Sequence, residues 1–263
     1  MGVAVRSPQR ASKPAAPAAD LASELVVPLE GAAAAGVAVV GAKAANLGRA
    51  MAAGLPVLPG FVLNVAAVEL LTSGAGYDDS RRAHEELAVA WAVLSDNGRR
   101  PLVVRSSSPV EDQAASSMAG LFSSVVGVTH WSGFLAAIGT VARSARLDGQ
   151  AGVAADMAVL VQPHLEPRLA GVLFGLDPLT GRTDRRVVAA VEGGPQALVS
   201  GEVDGTRYLL GPRGRLFDVE GPRIGLRRQH RRGLTALARR ASAVFGGPQD
   251  VEWALAADGR LWL

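Results

Sequence analysis

Three short segments carry the side chains with the clearest chemical potential. The first is Gly41-Ala42-Lys43-Ala44-Ala45-Asn46-Leu47-Gly48. The chain has 27 basic residues, 25 of them arginine; its two lysines are Lys13 and Lys43. Lysine presents a compact charge on a flexible stem and commonly pairs with phosphate oxygens, whereas arginine presents a planar fork. A position near the start of a helix adds free N–H groups and the positive end of the helix dipole, which also favour an anion. The second segment is Val103-Val104-Arg105-Ser106-Ser107-Ser108. An arginine leaving a buried strand into three hydroxyls and a glycine-bearing loop can bind phosphate bidentately while the loop covers it. The third is Gly247-Pro248-Gln249-Asp250-Val251-Glu252-Trp253. Residues two apart on a strand share a face, so Asp250 and Glu252 project together while Val251 turns toward the core. Two carboxylates side by side repel unless a cation lies near them, which points to Mg2+; a solvated edge-strand face is the alternative.

The elements that must position these residues follow from periodicity and punctuation. Ala44, Leu47 and Met51 recur at spacings of three and four, predicting a helix over 43–53 that stops at Gly54. The stretch Leu55-Pro56-Val57-Leu58-Pro59-Gly60 is an extended turn, because each proline disfavours helix in the residue before it. Strands are predicted over 25–29, 61–64, 101–104 and 121–128, and helices over 83–94 and 134–145. Residues 111–120, rich in Ser, Ala and Gly, read as a mobile loop. From 157 onward the chain turns β-rich, with short runs at 157–162, 170–174, 186–191, 207–210 and 215–219 separated by Gly, Pro and Asp. A helix over 234–245 and two closing strands, 251–255 and 260–263, complete the pattern. The first half thus reads as α/β and the second as more antiparallel. Residues 1–20, rich in Ala and Pro, read as a disordered leader.

Composition narrows the remaining classes. Hydrophobic residues make up 49% of the 263, enough for a sizeable core, yet aromatics are only 5%, so Ala, Val and Leu must do the packing. With no cysteine, disulfides, thiolate metal sites and a cysteine nucleophile are excluded. Neither Gly-x-x-x-x-Gly-Lys-Ser/Thr nor Gly-x-Gly-x-x-Gly occurs. None of the four histidines stands in a recognisable catalytic setting. No apolar run of ~18 residues is present to span a membrane, nor a signal-peptide core, and a cytoplasmic location is expected. The arginine run over 223–240 lacks an aromatic platform or RNA-binding motif, so it reads as a solvated face and nucleic acid is not an expected partner.

Taken in order, these segments resemble the N-terminal ATP-binding domain of the phosphoenolpyruvate synthase, pyruvate phosphate dikinase and rifampicin phosphotransferase family. The likeness runs over about 25–263. It rests on the Lys43 segment continuing through Gly54-Leu55-Pro56-Val57-Leu58-Pro59-Gly60-Phe61 and on the Arg105 segment continuing to Glu111-Asp112 and Ala119-Gly120. It is extended by Met157-Ala158-Val159-Leu160-Val161-Gln162, Ala170-Gly171-Val172-Leu173-Phe174, Asp177-Pro178-Leu179-Thr180-Gly181, Ala197-Leu198-Val199-Ser200-Gly201 and Gln249-Asp250-Val251-Glu252-Trp253. The resemblance implies an ATP-grasp-like α/β (α+β) fold of two subdomains, 21–150 and 151–263, clamping ATP. It implies that Lys43 and Arg105 contact the phosphates, that Ser106, Ser107, Ser108 and the loop to Gly120 close over them, that Gln162 lines the adenine pocket, and that Glu252 ligates Mg2+. The implied partner is a phosphohistidine-bearing domain or protein.

Several positions depart from the family pattern. Gly193-Gly194-Pro195-Gln196 stands where Gly-Leu-Gly-Glu is usual, and an acidic position falls near Ala189. Ala42 and Ala44 replace common glycines, and no Gln-x-Arg or Thr-x-His segment of the family type is present. Two functions follow as expectations: an ATP-binding phosphotransferase domain serving a histidine elsewhere, or a non-catalytic nucleotide-binding or interaction module derived from it.

Overall fold

In the computed structural model, the described residues are 24–72, 77–109, 124–144, 157–194 and 205–263. The order is β1 (Val26–Pro28), α1 (Ala32–Ala35), α2 (Val37–Ala52), β2 (Phe61–Leu63), α3 (Val65–Thr72), α4 (Tyr77–Leu94), β3 (Leu102–Ser107), β4 (Ser124–Val128) and α5 (Trp131–Ser144). Then follow β5 (Ala158–Pro163), β6 (Leu169–Phe174), β7 (Arg186–Glu192), β8 (Thr206–Leu210), β9 (Leu216–Glu220), α6 (Arg228–Phe245), β10 (Val251–Leu255) and β11 (Leu261–Trp262). They form two antiparallel sheets, one ordered β1-β2-β5-β3-β4 and the other β11-β10-β6-β7-β8-β9.

Alternation on the first sheet builds two cores. Leu63, Val104, Val159 and Val161 face a layer with Phe134, Ile138 and Val141 of α5. The opposite face, with Val62, Ala158 and Leu160, packs on Ala44 and Ala45 of α2. That second core continues without interruption into the other sheet, through Leu169, Leu173, Val188, Leu210 and Trp253, and into Leu234, Leu237 and Ala241 of α6. Each buried Val, Leu or Phe side chain contributes ~1.5–3 kcal/mol on burial, so the shared layer ties the two sheets to one another.

Periodicity located nearly every strand within two or three residues, but it assigned one strand to the wrong neighbourhood. Residues 157–162 are grouped by sequence with the later strands, whereas β5 is the central strand of the first sheet, pairing β2 on one edge and β3 on the other. All six of its residues are buried, and such a strand needs a neighbour on each edge and cover on each face. The second sheet begins only with β6. The first sheet is antiparallel throughout, like the second. The helix α3 is an addition to the expected elements, although Asn64 caps its first turn by accepting from the Ala67 N–H at 2.7 Å, and α6 starts six residues before the expected 234.

Candidate functional site

Lys43 is positioned by a broken helix. Gly41 sits at φ 76 and ψ 164, outside helical space, and divides α2. A Cβ at Gly41 would overlap the Ser107 carbonyl, so both the positive φ and the close approach require glycine there. Past the break the helix restarts at Ala42, and Lys43 lies in its first turn. The Ser107 hydroxyl fastens the two halves: it donates to the Val40 carbonyl at 2.8 Å and accepts from the Ala44 N–H at 3.0 Å. The Ala42 N–H donates to the Ser108 carbonyl at 3.1 Å. Lys43 Nζ reaches back to the Ser106 carbonyl at 3.4 Å. The helix start is therefore locked onto the end of β3, and two of its N–H groups are engaged by protein instead of standing free for an anion.

The serines differ from their expected setting. β3 does not end at Val104 but continues to Ser107, pairing β5 as far as Ser107 opposite Ala158. Ser106, Ser107 and Ser108 are all buried. They form the joint between β3 and α2 and are not hydroxyls on an open loop. The segment expected to close over phosphates, 111–120 with Gly120, lies outside the described residues, as do Pro195, Gln196 and 197–201.

Arg105 and Glu252 come together from different sheets. Arg105 opposes Leu160 across β3 and β5, and Leu160 belongs to the core shared with the second sheet; the Arg105 side chain therefore leaves the first sheet on that side. On β10, Val251 and Trp253 are buried while Glu252 is exposed, which places Glu252 on the outer side of the second sheet's apolar layer. Arg105 Nη2 stands 3.7 Å from Glu252 Oε2, with the two side chains 32% and 56% exposed. At that separation the pair is electrostatic, not a close hydrogen bond. Asp250, next along with the same orientation by alternation, is exposed as well.

Register identifies a further member of this face. Glu252 opposes Val172, Val172 opposes Ala189, Ala189 opposes Arg207, and Arg207 opposes Glu220. The five residues form one row across the second sheet. The Arg207 guanidinium pairs with Glu220 at 3.0 Å. No local sequence signal marks Arg207, because its place in the row depends on how five strands align. Gln162 is buried, and its side-chain amide donates to the Leu58 carbonyl at 2.9 Å. It braces the Pro-rich turn against β5.

Two antiparallel sheets share one core, and where they meet Arg105 of β3 stands beside Glu252 of β10, with Lys43 of α2 reaching the Ser106 carbonyl. The chain belongs to the pyruvate phosphate dikinase AMP/ATP-binding domain family, whose sequence profile matches residues 79–220. Arg105 and Gln162 fall inside that match; Lys43 and Glu252 flank it. A rifampicin phosphotransferase of Streptomyces sp is 32% identical over 91% of this chain and 35% of its own length. The prodigiosin synthesizing transferase PigC of Serratia marcescens is 26% identical, covering 85% and 31%. A phosphoenolpyruvate synthase of Aeropyrum pernix is 28% identical, covering 65% and 27%. The chain thus spans about a third of the length of these curated relatives. Among solved structures, D-alanyl-alanine synthetase A from Vibrio cholerae aligns over 89% of this chain and 56% of that one, at 13% identity and a TM-score of 0.46.

Proposed function

We propose that this chain holds Mg-ATP between its two sheets and presents a phosphoryl group to a histidine on a separate domain or chain. The observation that carries this reading is the convergence of Lys43, Arg105 and Glu252, three residues separated by 62 and 147 positions in sequence, at the junction of β3, α2 and β10. Phosphoryl transfer asks the protein mainly for positioning and for positive charge on the phosphate oxygens. Lys43 and Arg105 are assigned that role. The loop through Gly120 is assigned to cover them, and Gln162 to the adenine side. Ser106, Ser107 and Ser108 hold Lys43 and Arg105 at a fixed spacing through the buried joint.

The donor set supports Mg2+ as the metal. Glu252 is an oxygen ligand beside Asp250, and no group of three His, Asp or Glu occurs among the described residues. Mg2+ is commonly held by one or two carboxylates, with phosphate oxygens and water filling its other positions. Bound there, it would supply positive charge to the phosphate oxygens. Among the described residues no helix is long and apolar enough to cross a membrane, and the protein is proposed to work in the cytoplasm.

A second reading, a nucleotide-binding module without catalysis, is favoured by one position. Ala189 stands in the Glu252 row, near the place where the family resemblance expects an acid. The two readings separate in a transfer assay. The protein is mixed with ATP radiolabelled on both its β and γ phosphoryl groups, Mg2+ and the phosphohistidine domain of a rifampicin phosphotransferase. Label appearing on the histidine domain supports the first reading. Nucleotide binding without label transfer sinks it in favour of the second.

A further inference from the structure

Charge is segregated in this chain. Residues 221–249 hold seven arginines and no Asp or Glu, which leaves 20 basic against 24 acidic residues elsewhere. The net charge of +3 therefore resides in one segment, most of it in α6. Several of these arginines have structural partners. Arg231 donates to the Leu226 carbonyl at 3.0 Å, and Arg240 donates to the Gly54 carbonyl at the end of α2.

Arg228, Arg232 and Arg239 have no such role. All three are exposed, and their guanidinium groups make no hydrogen bond or ion pair among the described residues. At ~100° per residue they lie with Ala236 and Ala243 inside an arc of about 80°, a straight stripe of ~22 Å on the side of α6 opposite its core face. That core face is Leu234, Leu237, Ala238 and Ala241. The stripe is electrostatically unfavourable in isolation for two reasons. Arg228 and Arg232 are like charges one turn apart. Both also lie in the first turns, where the helix dipole disfavours cations and no acidic residue offsets them. An anionic surface laid along the stripe relieves both.

We propose that the exposed stripe of α6 is a docking surface for an acidic α-helix of a partner protein, its carboxylates spaced four and eleven residues apart to meet Arg228, Arg232 and Arg239. The relief of the surface favours a helix over a nucleic acid. Ala236 and Ala243 lie on either side of Arg239 along the stripe and let a second helix approach closely. The stripe carries no aromatic ring for base stacking; the neighbouring Phe245 is half-buried under the Arg49 guanidinium, 5.0 Å from its ring centre. The stripe contains none of the residues assigned to ATP.

Fluorescence anisotropy tests the surface with a labelled helical 20-residue peptide carrying glutamates at that spacing, a glutamine version of it, and a 20-base-pair DNA duplex. The expected result is binding of the acidic peptide at least tenfold tighter than the glutamine peptide or the duplex, weakening as salt rises. The triple variant Arg228→Glu, Arg232→Glu, Arg239→Glu should lose that binding tenfold or more and gain binding to a lysine version of the peptide. Its melting temperature reports folding, since all three side chains are exposed. Equal binding of acidic and glutamine peptides overturns the proposal, as does tighter binding of the duplex or an unaffected triple variant.

Discussion

Replacing Glu252 by glutamine should change nucleotide affinity in opposite directions with and without metal. In the structure Glu252 partners Arg105 at 3.7 Å, with both side chains substantially exposed. A pair of that kind contributes ~0.2–1 kcal/mol after solvent screening. On the proposed placement, metal-free ATP would compete with Glu252 for Arg105 and would also approach a carboxylate. Glu252→Gln removes that competition, and metal-free ATP should bind up to ~5-fold tighter, the factor that ~1 kcal/mol represents. Mg-ATP should respond the other way, because the variant lacks the oxygen anion assigned to the metal, and its affinity should fall about tenfold or more. Stability should barely move: losing ~1 kcal/mol shifts the melting temperature of a chain this size by only ~2–4 °C. Titration calorimetry of both proteins, with Mg2+ and with a chelator, reads the two affinities, and thermal melting reads the third quantity. Parallel changes in the two titrations would refute the reasoning, since Glu252 would then be acting on the nucleotide irrespective of metal. A large loss of melting temperature would do so as well.

Three further outcomes follow from the geometry. Ser107→Ala removes the hydroxyl that joins Val40 to Ala44 and strands two buried backbone groups, at a cost of ~1–3 kcal/mol each; chemical denaturation should show a loss of that size, and ATP affinity should fall with it because Lys43 loses its anchorage. Gly41→Ala places a Cβ against the Ser107 carbonyl at a positive φ and should destabilise more than Gly127→Ala, a positive-φ glycine with open space around it; equal denaturation midpoints would contradict the close approach. His230, whose imidazole accepts from the Arg227 N–H at 3.2 Å, is held below its ordinary value of 6.5 by burial first, then by the Arg168 and Arg227 charges. The fold therefore favours neutral His230: its contribution is complete above about pH 6.5 and is lost as pH falls toward the lowered value. Wild type should lose more stability than His230→Gln between pH 7 and pH 5.5, and matching slopes would count against the assignment.

The parts of the candidate site that depend on short-range pattern are legible in the sequence as positions, not as roles. Lys43 was conspicuous because lysine is so rare here, and Glu252 because alternation with Val251 and Trp253 fixes which way it points. Arg105 was marked by the apolar run before it. The meeting of Arg105 with Glu252 has no signal in the sequence, since no local rule aligns β3 with β10. The serines misled for an instructive reason. A Ser-Ser-Ser run suggests a loop by composition, yet in an antiparallel sheet these small residues continue the strand and admit the α2 backbone alongside it. β5 misled because a fully apolar run states only that a strand is buried, not which sheet buries it. Arg207 has no local signal, since a row across five strands is set by register and not by any local spacing.

The central claim is that Lys43 and Arg105 together hold ATP phosphates, and calorimetric titration of an ATP analogue with Mg2+ tests it most directly. A hydrogen bond to a charged group contributes ~1.5–3 kcal/mol, so Lys43→Ala and Arg105→Ala should each weaken binding ~10–150-fold while leaving the protein folded. Affinity unchanged from wild type in both variants would contradict the account.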